Sequence, residues 1–209
     1  IKKAIKQLRK TIFYRTSHFW PDKMYLCITY WLLMGGKLDL SNPKGFNEKL
    51  NWLKLYDRNP LFVRLADKYE VKQFVADVIG KEYVVPNLGV WDRIEDIDFD
   101  SLPNQFVIKG THDSSGATIC RDKKSFDVQA LAKKYEPIMN RNYFWMWREW
   151  PYKNIKPRVI ADTFLDDHTA EGRSISLRDY KFWCFNGEPR YMYCCLLYTS
   201  PSPRDRSVS

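Results

Sequence analysis

Apolar residues fill positions 23–34 with little polar interruption, and Gly35-Gly36 then breaks the run, which predicts a helix with a glycine stop. Phe46, Leu50, Leu53 and Leu55 recur at helical spacing. They predict a second helix opened by Asn42-Pro43, with an apolar stripe and with Asn47, Glu48 and Lys49 largely on its other face. Asp67 has the chemistry of an N-cap for a third helix, in which Val71, Phe74, Val75, Val78 and Ile79 fall at i, i+3, i+4, i+7 and i+8 before Gly80. Beyond Gly80 the pattern changes. Residues 83–91 and 105–109 are rich in β-branched and aromatic side chains and read as strands, with the acidic stretch 92–100 as a loop between them. Ser125 or Asp127 opens a helix to about Met139, and residues 158–165 read as a buried strand. Residues 179–194 form two strands about Asn186-Gly187, the dipeptide that best suits a type I′ hairpin turn. The chain carries no internal repeat. The pattern predicts an α+β fold, with a helical region over residues 1–66 followed by a mixed α/β region over residues 67–194.

With 44% apolar and 28% charged residues, the composition is that of a soluble globular protein. Cys27, Cys120, Cys184, Cys194 and Cys195 include no Cys-x-x-Cys pair, so they read as reduced, mostly buried thiols of a cytoplasmic protein rather than as metal ligands or a disulfide framework. The apolar run 26–34 is too short to span a bilayer. A net charge of +9 is concentrated early, at Lys2, Lys3, Lys6, Arg9, Lys10 and Arg15, interleaved with Ile5, Leu8, Ile12 and Phe13. Such a stripe suits either a solvated face or peripheral contact with anionic lipid at the inner face of the membrane. A nucleic-acid partner is not expected, because the aromatic residues follow core periodicity and no nucleic-acid motif is present.

The stretch 105–120 carries the clearest chemistry. Lys109 ends a β-branched strand, and Gly110, Ser114, Ser115 and Gly116 let backbone N–H groups approach phosphate oxygens before a second strand begins at Ala117. An ordinary hairpin also uses glycine and serine at its tip. Neither a Gly-x-x-x-x-Gly-Lys-Ser/Thr run nor a Gly-x-Gly-x-x-Gly run is present, which excludes the P-loop and the dinucleotide-binding fingerprint.

Five segments occur in the order found in TupA-like ATP-grasp proteins. They are Asn42-Pro43-Lys44-Gly45-Phe46-Asn47-Glu48-Lys49-Leu50, Leu65-Ala66-Asp67-Lys68-Tyr69, the lysine and loop of 105–120, Lys156-Pro157-Arg158-Val159-Ile160-Ala161, and Asp179-Tyr180-Lys181-Phe182-Trp183-Cys184-Phe185-Asn186-Gly187. The chain resembles that family over roughly residues 20 to 193. The resemblance implies an incomplete ATP-grasp-like mixed sheet and ATP with Mg2+ as cofactors. Lys109 would pair with the α- and β-phosphates. Thr111, His112, Ser114, Ser115 and Gly116 would match the flexible loop over them, with Lys68 reaching the nucleotide. Ala161 and Asp162 would lie at the hinge beside the adenine, although family members commonly carry glutamate where this chain has Asp162. Lys181 would be the catalytic cation that meets the transferred phosphoryl group.

The implied reaction joins a carboxylate to an amine through an acyl phosphate, in bacterial surface polysaccharide biosynthesis. The acceptor carboxylate and amine would be a surface-polymer sugar and an amino acid. The family's acidic magnesium ligands fall beyond the hairpin, so this polypeptide is expected to be an incomplete ATP-grasp region, inactive alone. Residues 195–209 resemble the translation of a sequencing adapter and are expected to be non-native. Two other functions stay open. A nucleotide-sugar glycosyltransferase would use Asp96-Ile97-Asp98 or Asp98-Phe99-Asp100 as an Asp-x-Asp motif, and a non-catalytic module would bind nucleotide without chemistry.

Overall fold

A computed structural model of the chain describes residues 15–114, 116–168, 174–175 and 177–196. Its helices are α1 (Asp22–Met34), α2 (Phe46–Tyr56), α3 (Leu61–Ala66), α4 (Glu70–Ile79), α5 (Val128–Met139) and α6 (Phe144–Trp147). The strands are β1 (Asn87–Trp91), β2 (Phe106–Gly110), β3 (Ala117–Cys120), β4 (Val159–Thr163), β5 (Asp167–His168), β6 (Ser174–Ile175), β7 (Arg178–Phe185) and β8 (Glu188–Leu196). The fold is α+β. Two compact units divide it, residues 1–163 and residues 164–209, so the N-terminal helices share one unit with the four-stranded sheet. The basic stripe from Lys2 to Lys10 and the tail 197–209 lie outside the described residues.

Local chemistry sets the helix ends. Gly35 closes α1 at φ 75°, its N–H donating to the Trp31 carbonyl, a conformation that a Cβ would strain. The second helix starts at Phe46, not at Asn42-Pro43. The Asp39 carboxylate accepts from the N–H groups of Ser41 and Asn42 and holds that stretch as a turn. Glu48 reaches back to the N–H groups of Lys44 and Gly45, as the glutamate of a capping box does. The apolar stripe of α2 is not buried: Phe46 is 58% exposed, and Leu50, Trp52, Leu53 and Tyr56 are exposed with it. Helix α3, too short to show a period, interrupts the expected run; the Asn59 side chain caps it at the Leu61 N–H. Asp67 then accepts from the N–H groups of Tyr69 and Glu70, opening α4 as its chemistry predicts. Pro86, which has no N–H to give to a ladder, delays β1 until Asn87.

The sheet runs in the order β1-β4-β2-β3, and every pairing is antiparallel, where a mixed sheet is expected. Strand β4 enters between β1 and β2 and runs against both. One face is apolar. Phe106, Ile108, Cys120, Val159 and Ala161 pack there with Leu131, Tyr135 and Ile138 of α5 in a continuous core. Asp127 caps α5 at the Ala130 N–H. The Tyr135 phenol, pushed up to about 12 by burial, donates to the Ile108 carbonyl.

Arg148 ties residues 17–25 to the rest of this unit. Fully buried at φ 55°, it pairs with Asp22 at 2.7 Å and donates to the carbonyls of Ser17 and Trp20, with its guanidinium over the rings of Tyr25, Phe144 and Trp145.

In the second unit β7 and β8 form a hairpin whose turn residues Asn186 and Gly187 have φ of 52° and 81°, both positive as a type I′ turn requires. Strand β8 continues past Cys194, pairing Cys195 with Asp179 and Leu196 with Arg178. The cysteines are unpaired, and only Cys120 is buried. Cys184 and Cys194 are exposed because they sit in this two-stranded hairpin, where the expectation of mostly buried thiols fails.

Candidate active site

The second face of the sheet is charged. In the antiparallel register Lys109 lies opposite Ile160 and Asp162 opposite Val107, so Lys109 and Asp162 share this face. Their Nζ and Oδ2 atoms are 3.0 Å apart. A bulge at Leu88 sets Asn87 opposite Asp162, to which its amide donates at 3.3 Å. Helix α4 supplies a second ammonium: Lys72 lies 2.5 Å from Asp162 Oδ1 and also donates to the Val85 carbonyl. One buried carboxylate therefore faces two ammonium groups, of which Lys109, with a third of its side chain exposed, opens furthest to solvent.

Lys68 adds a third. Its Nζ donates to the carbonyls of Gly110 and Asp113, and its backbone N–H donates to the Thr111 carbonyl. The neighbouring Asp67 is buried and held at 2.9 Å by Arg158, which also pairs with Glu70 at 2.8 Å. The Arg158 guanidinium stacks on Tyr69, and its pKa is raised: burial opposes the charge, and the two carboxylates outweigh it. The expected Asp67-Lys68 and Lys156-Pro157-Arg158 segments thus meet at the root of the loop after Lys109.

The start of that loop is packed into the protein. Thr111, His112 and Asp113 are buried. The Thr111 N–H donates to the Arg158 carbonyl, and its hydroxyl to the Lys156 carbonyl at 3.4 Å. Asp113 pairs with Arg141 at 2.7 Å. His112 Nε2 donates to the Ile138 carbonyl at 2.9 Å, which makes Nδ1 a buried acceptor that no hydrogen bond reaches among the described residues. Burial lowers the pKa of this imidazole, so the neutral form is favoured. In this arrangement His112 has no proton to offer a phosphate. Ser114 is half-buried and Gly116 exposed, with φ 88°, while Ser115 lies outside the described residues.

Ala161 is a fully buried member of β4, with its carbonyl accepting from the Asn87 amide. Lys181 belongs to the second unit, where it faces Tyr193 across the β7–β8 ladder and pairs with Asp179. Lys72, Asn87 and Arg158 are the members of the cluster that pattern reading did not single out. Lys72 carried one signal, a lysine directly after Val71 in a helix with an apolar period.

A set of ammonium groups beside a loop of small residues is the donor chemistry that a polyphosphate needs. The set does not fit Mg2+: both oxygens of Asp162 are taken by lysines, and among the described residues no three His, Cys, Asp or Glu side chains gather as metal ligands. The acidic segment is organised otherwise. Asp98 accepts from the Asp100 N–H, and Lys123 donates to the carbonyls of Phe99, Asp100 and Leu102. Among the described residues, no helix is long and apolar enough to cross a membrane.

The sequence profile of one family, described as TupA-like ATPgrasp, matches residues 48–198, more than half of the chain. No curated protein and no solved structure matches. With five ordered segments and a profile match that covers β1 to β8, this chain belongs to the TupA-like ATP-grasp family.

Proposed function

We propose that the charged face around Asp162 binds the phosphates of ATP, and that the parent protein is a carboxylate–amine ligase of bacterial surface polysaccharide biosynthesis. The observation that carries this reading is the poise of Lys109: on the open side of the cluster, shared by a carboxylate that Lys72 and Asn87 already hold. When a phosphate arrives, Lys109 turns to it and Asp162 keeps a counter-ion, so no buried charge is stranded. Lys68, tied to the Gly110 carbonyl, fixes the strand end from which Lys109 projects.

In the ligase reaction an acceptor carboxylate oxygen attacks the γ-phosphorus of ATP and ADP leaves, giving an acyl phosphate. An amine then attacks the acyl carbon, phosphate leaves, and the amine loses a proton to yield the amide. Positioning and neutralisation of charge supply the acceleration, and the lysines contribute to both. Lys181 takes the role of the cation at the transferred phosphoryl group, as the family resemblance assigns it. The acceptor pair is a uronic-acid sugar and an amino acid.

Calorimetric titration with ATP, ADP and UDP-glucose tests the nucleotide site. ATP should bind and be displaced by ADP but not by UDP-glucose, and Lys109→Met should weaken ATP at least about tenfold with the thermal midpoint retained. Displacement by UDP-glucose, or equal ATP affinity in Lys109→Met, would overturn the assignment.

A further inference from the structure

A cleft in this unit lies where α1, α2 and Trp147 of α6 meet. Its volume is about 180 Å³. Apolar cavities of about 150 Å³ already take a benzene ring. Most of the wall is apolar, from Leu26, Leu33, Met34, Leu50 and Trp147. Polar groups break it, foremost Thr29 and Lys54. Thr29 is 7% exposed, and among the described residues its hydroxyl has no hydrogen-bond partner. A helical threonine normally satisfies its hydroxyl on a carbonyl one turn back, so this one is an unsatisfied donor in a residue that lines the cleft.

Lys54 is the second. Among the described residues it makes no ion pair, although it is half-buried against the same wall. Burial lowers its pKa, and the more distant charge of Glu149 only partly opposes the shift. Each asparagine in the wall commits one amide N–H within the protein, Asn51 to the Asn47 carbonyl and Asn47 to the Met34 sulfur, and the Tyr25 phenol donates to the Met146 carbonyl. The cleft therefore holds a single cation, Lys54, with the Thr29 hydroxyl and the Tyr30 phenol as neutral groups on a largely apolar wall. That set matches two oxygens bearing a single negative charge, whereas a phosphate dianion calls for more donors and more positive charge.

We propose that the α1–α2 cleft binds a small amphipathic carboxylate, its carboxylate on Lys54 and the Thr29 hydroxyl and its apolar body against Leu26, Leu50 and Trp147. The site is separate from the lysine cluster on the sheet and does not depend on the nucleotide reading. Binding quenches or shifts the fluorescence of Trp147, which lines the wall.

The test uses the full chain with 4-phenylbutyrate as probe and 4-phenylbutanol as its uncharged match, followed by calorimetry. Phenylbutyrate should bind at sub-millimolar concentration and be preferred over the alcohol about tenfold, the size of one good charge-assisted contact. Lys54→Met, which keeps the stem and removes the charge, should erase that preference while its thermal midpoint stays at or above that of the parent. Thr29→Val should weaken phenylbutyrate several-fold. ATP binding should be unchanged in both variants, and phenylbutyrate binding unchanged in Lys109→Met. No binding of phenylbutyrate at 10 mM (roughly the limit for a specific small ligand), or the same preference in Lys54→Met as in the parent, would overturn the proposal.

Discussion

The two faces of the four-stranded sheet use alternate residues of the same strands and are held by opposite means. On one, Phe106, Ile108, Val159 and Ala161 pack on α5, and their stabilisation comes from apolar area withdrawn from water. On the other, Lys109 and Asp162 stand among Val107 and Ile160, and the seal is an ion cluster completed by Lys72 of α4. An apolar face stabilises the fold whatever else happens. A buried ion cluster returns little net stability, because desolvation of the charges offsets their attraction, but removal of one member leaves the rest unbalanced. The difference teaches where function has room: the charged face can exchange a protein partner for a ligand at small cost, and the apolar face cannot.

Substitutions that separate the faces should order themselves by size. Ile108→Ala, on the apolar side, should cost about 2–5 kcal/mol in urea unfolding, with ATP affinity of the folded protein unchanged. Asp162→Asn should cost about 3 kcal/mol, the low end for a broken buried ion pair, since Lys109 is free to turn to solvent while Lys72 is not. Adding Lys72→Met to Asp162→Asn should recover part of that loss, and no recovery would refute the coupling of the two.

Proton linkage offers a finer probe. The folded-state pKa of His112 is depressed, so the unfolded chain binds the extra proton first. The stability this imidazole allows is present above the unfolded value near 6.5 and is lost as pH falls from there through the folded value. Thermal midpoints measured from pH 8 to pH 5 should fall, and His112→Gln should flatten the part of that fall below about pH 6.5. The smallest effect belongs to the exposed pair Lys156–Asp92: Lys156→Ala should shift unfolding by no more than about 0.5 kcal/mol.

The apolar face was legible in the sequence because strand and helix periods act over a few residues. Phe106, Ile108, Val159 and the Asp127 cap of α5 announce themselves locally, as does Asn186-Gly187. Asp67 was legible as a cap, but its pairing with Arg158, 91 positions away, was not. Lys109 was legible as a strand-end cation. Its partner Asp162, and the Lys72 that shares it, come from elements that only the antiparallel insertion of β4 brings together. The α2 stripe shows the opposite failure: its period is correct, yet periodicity states that a face is apolar and not whether anything covers it. Residues 111–113 read as an open polar loop, and they are buried because Arg158, Ile138 and Arg141 satisfy them from distant positions.

Arg148 gives the family boundary a physical meaning. The profile match begins at residue 48, whereas this guanidinium, inside the match, takes Asp22, Ser17 and Trp20 from outside it as partners. A clone designed to begin at the match would deprive an interior cation of its counter-ion and of two carbonyl acceptors at once. The segment that must fold together is therefore longer than the matched one, and expression trials should keep the chain from Ser17 onward.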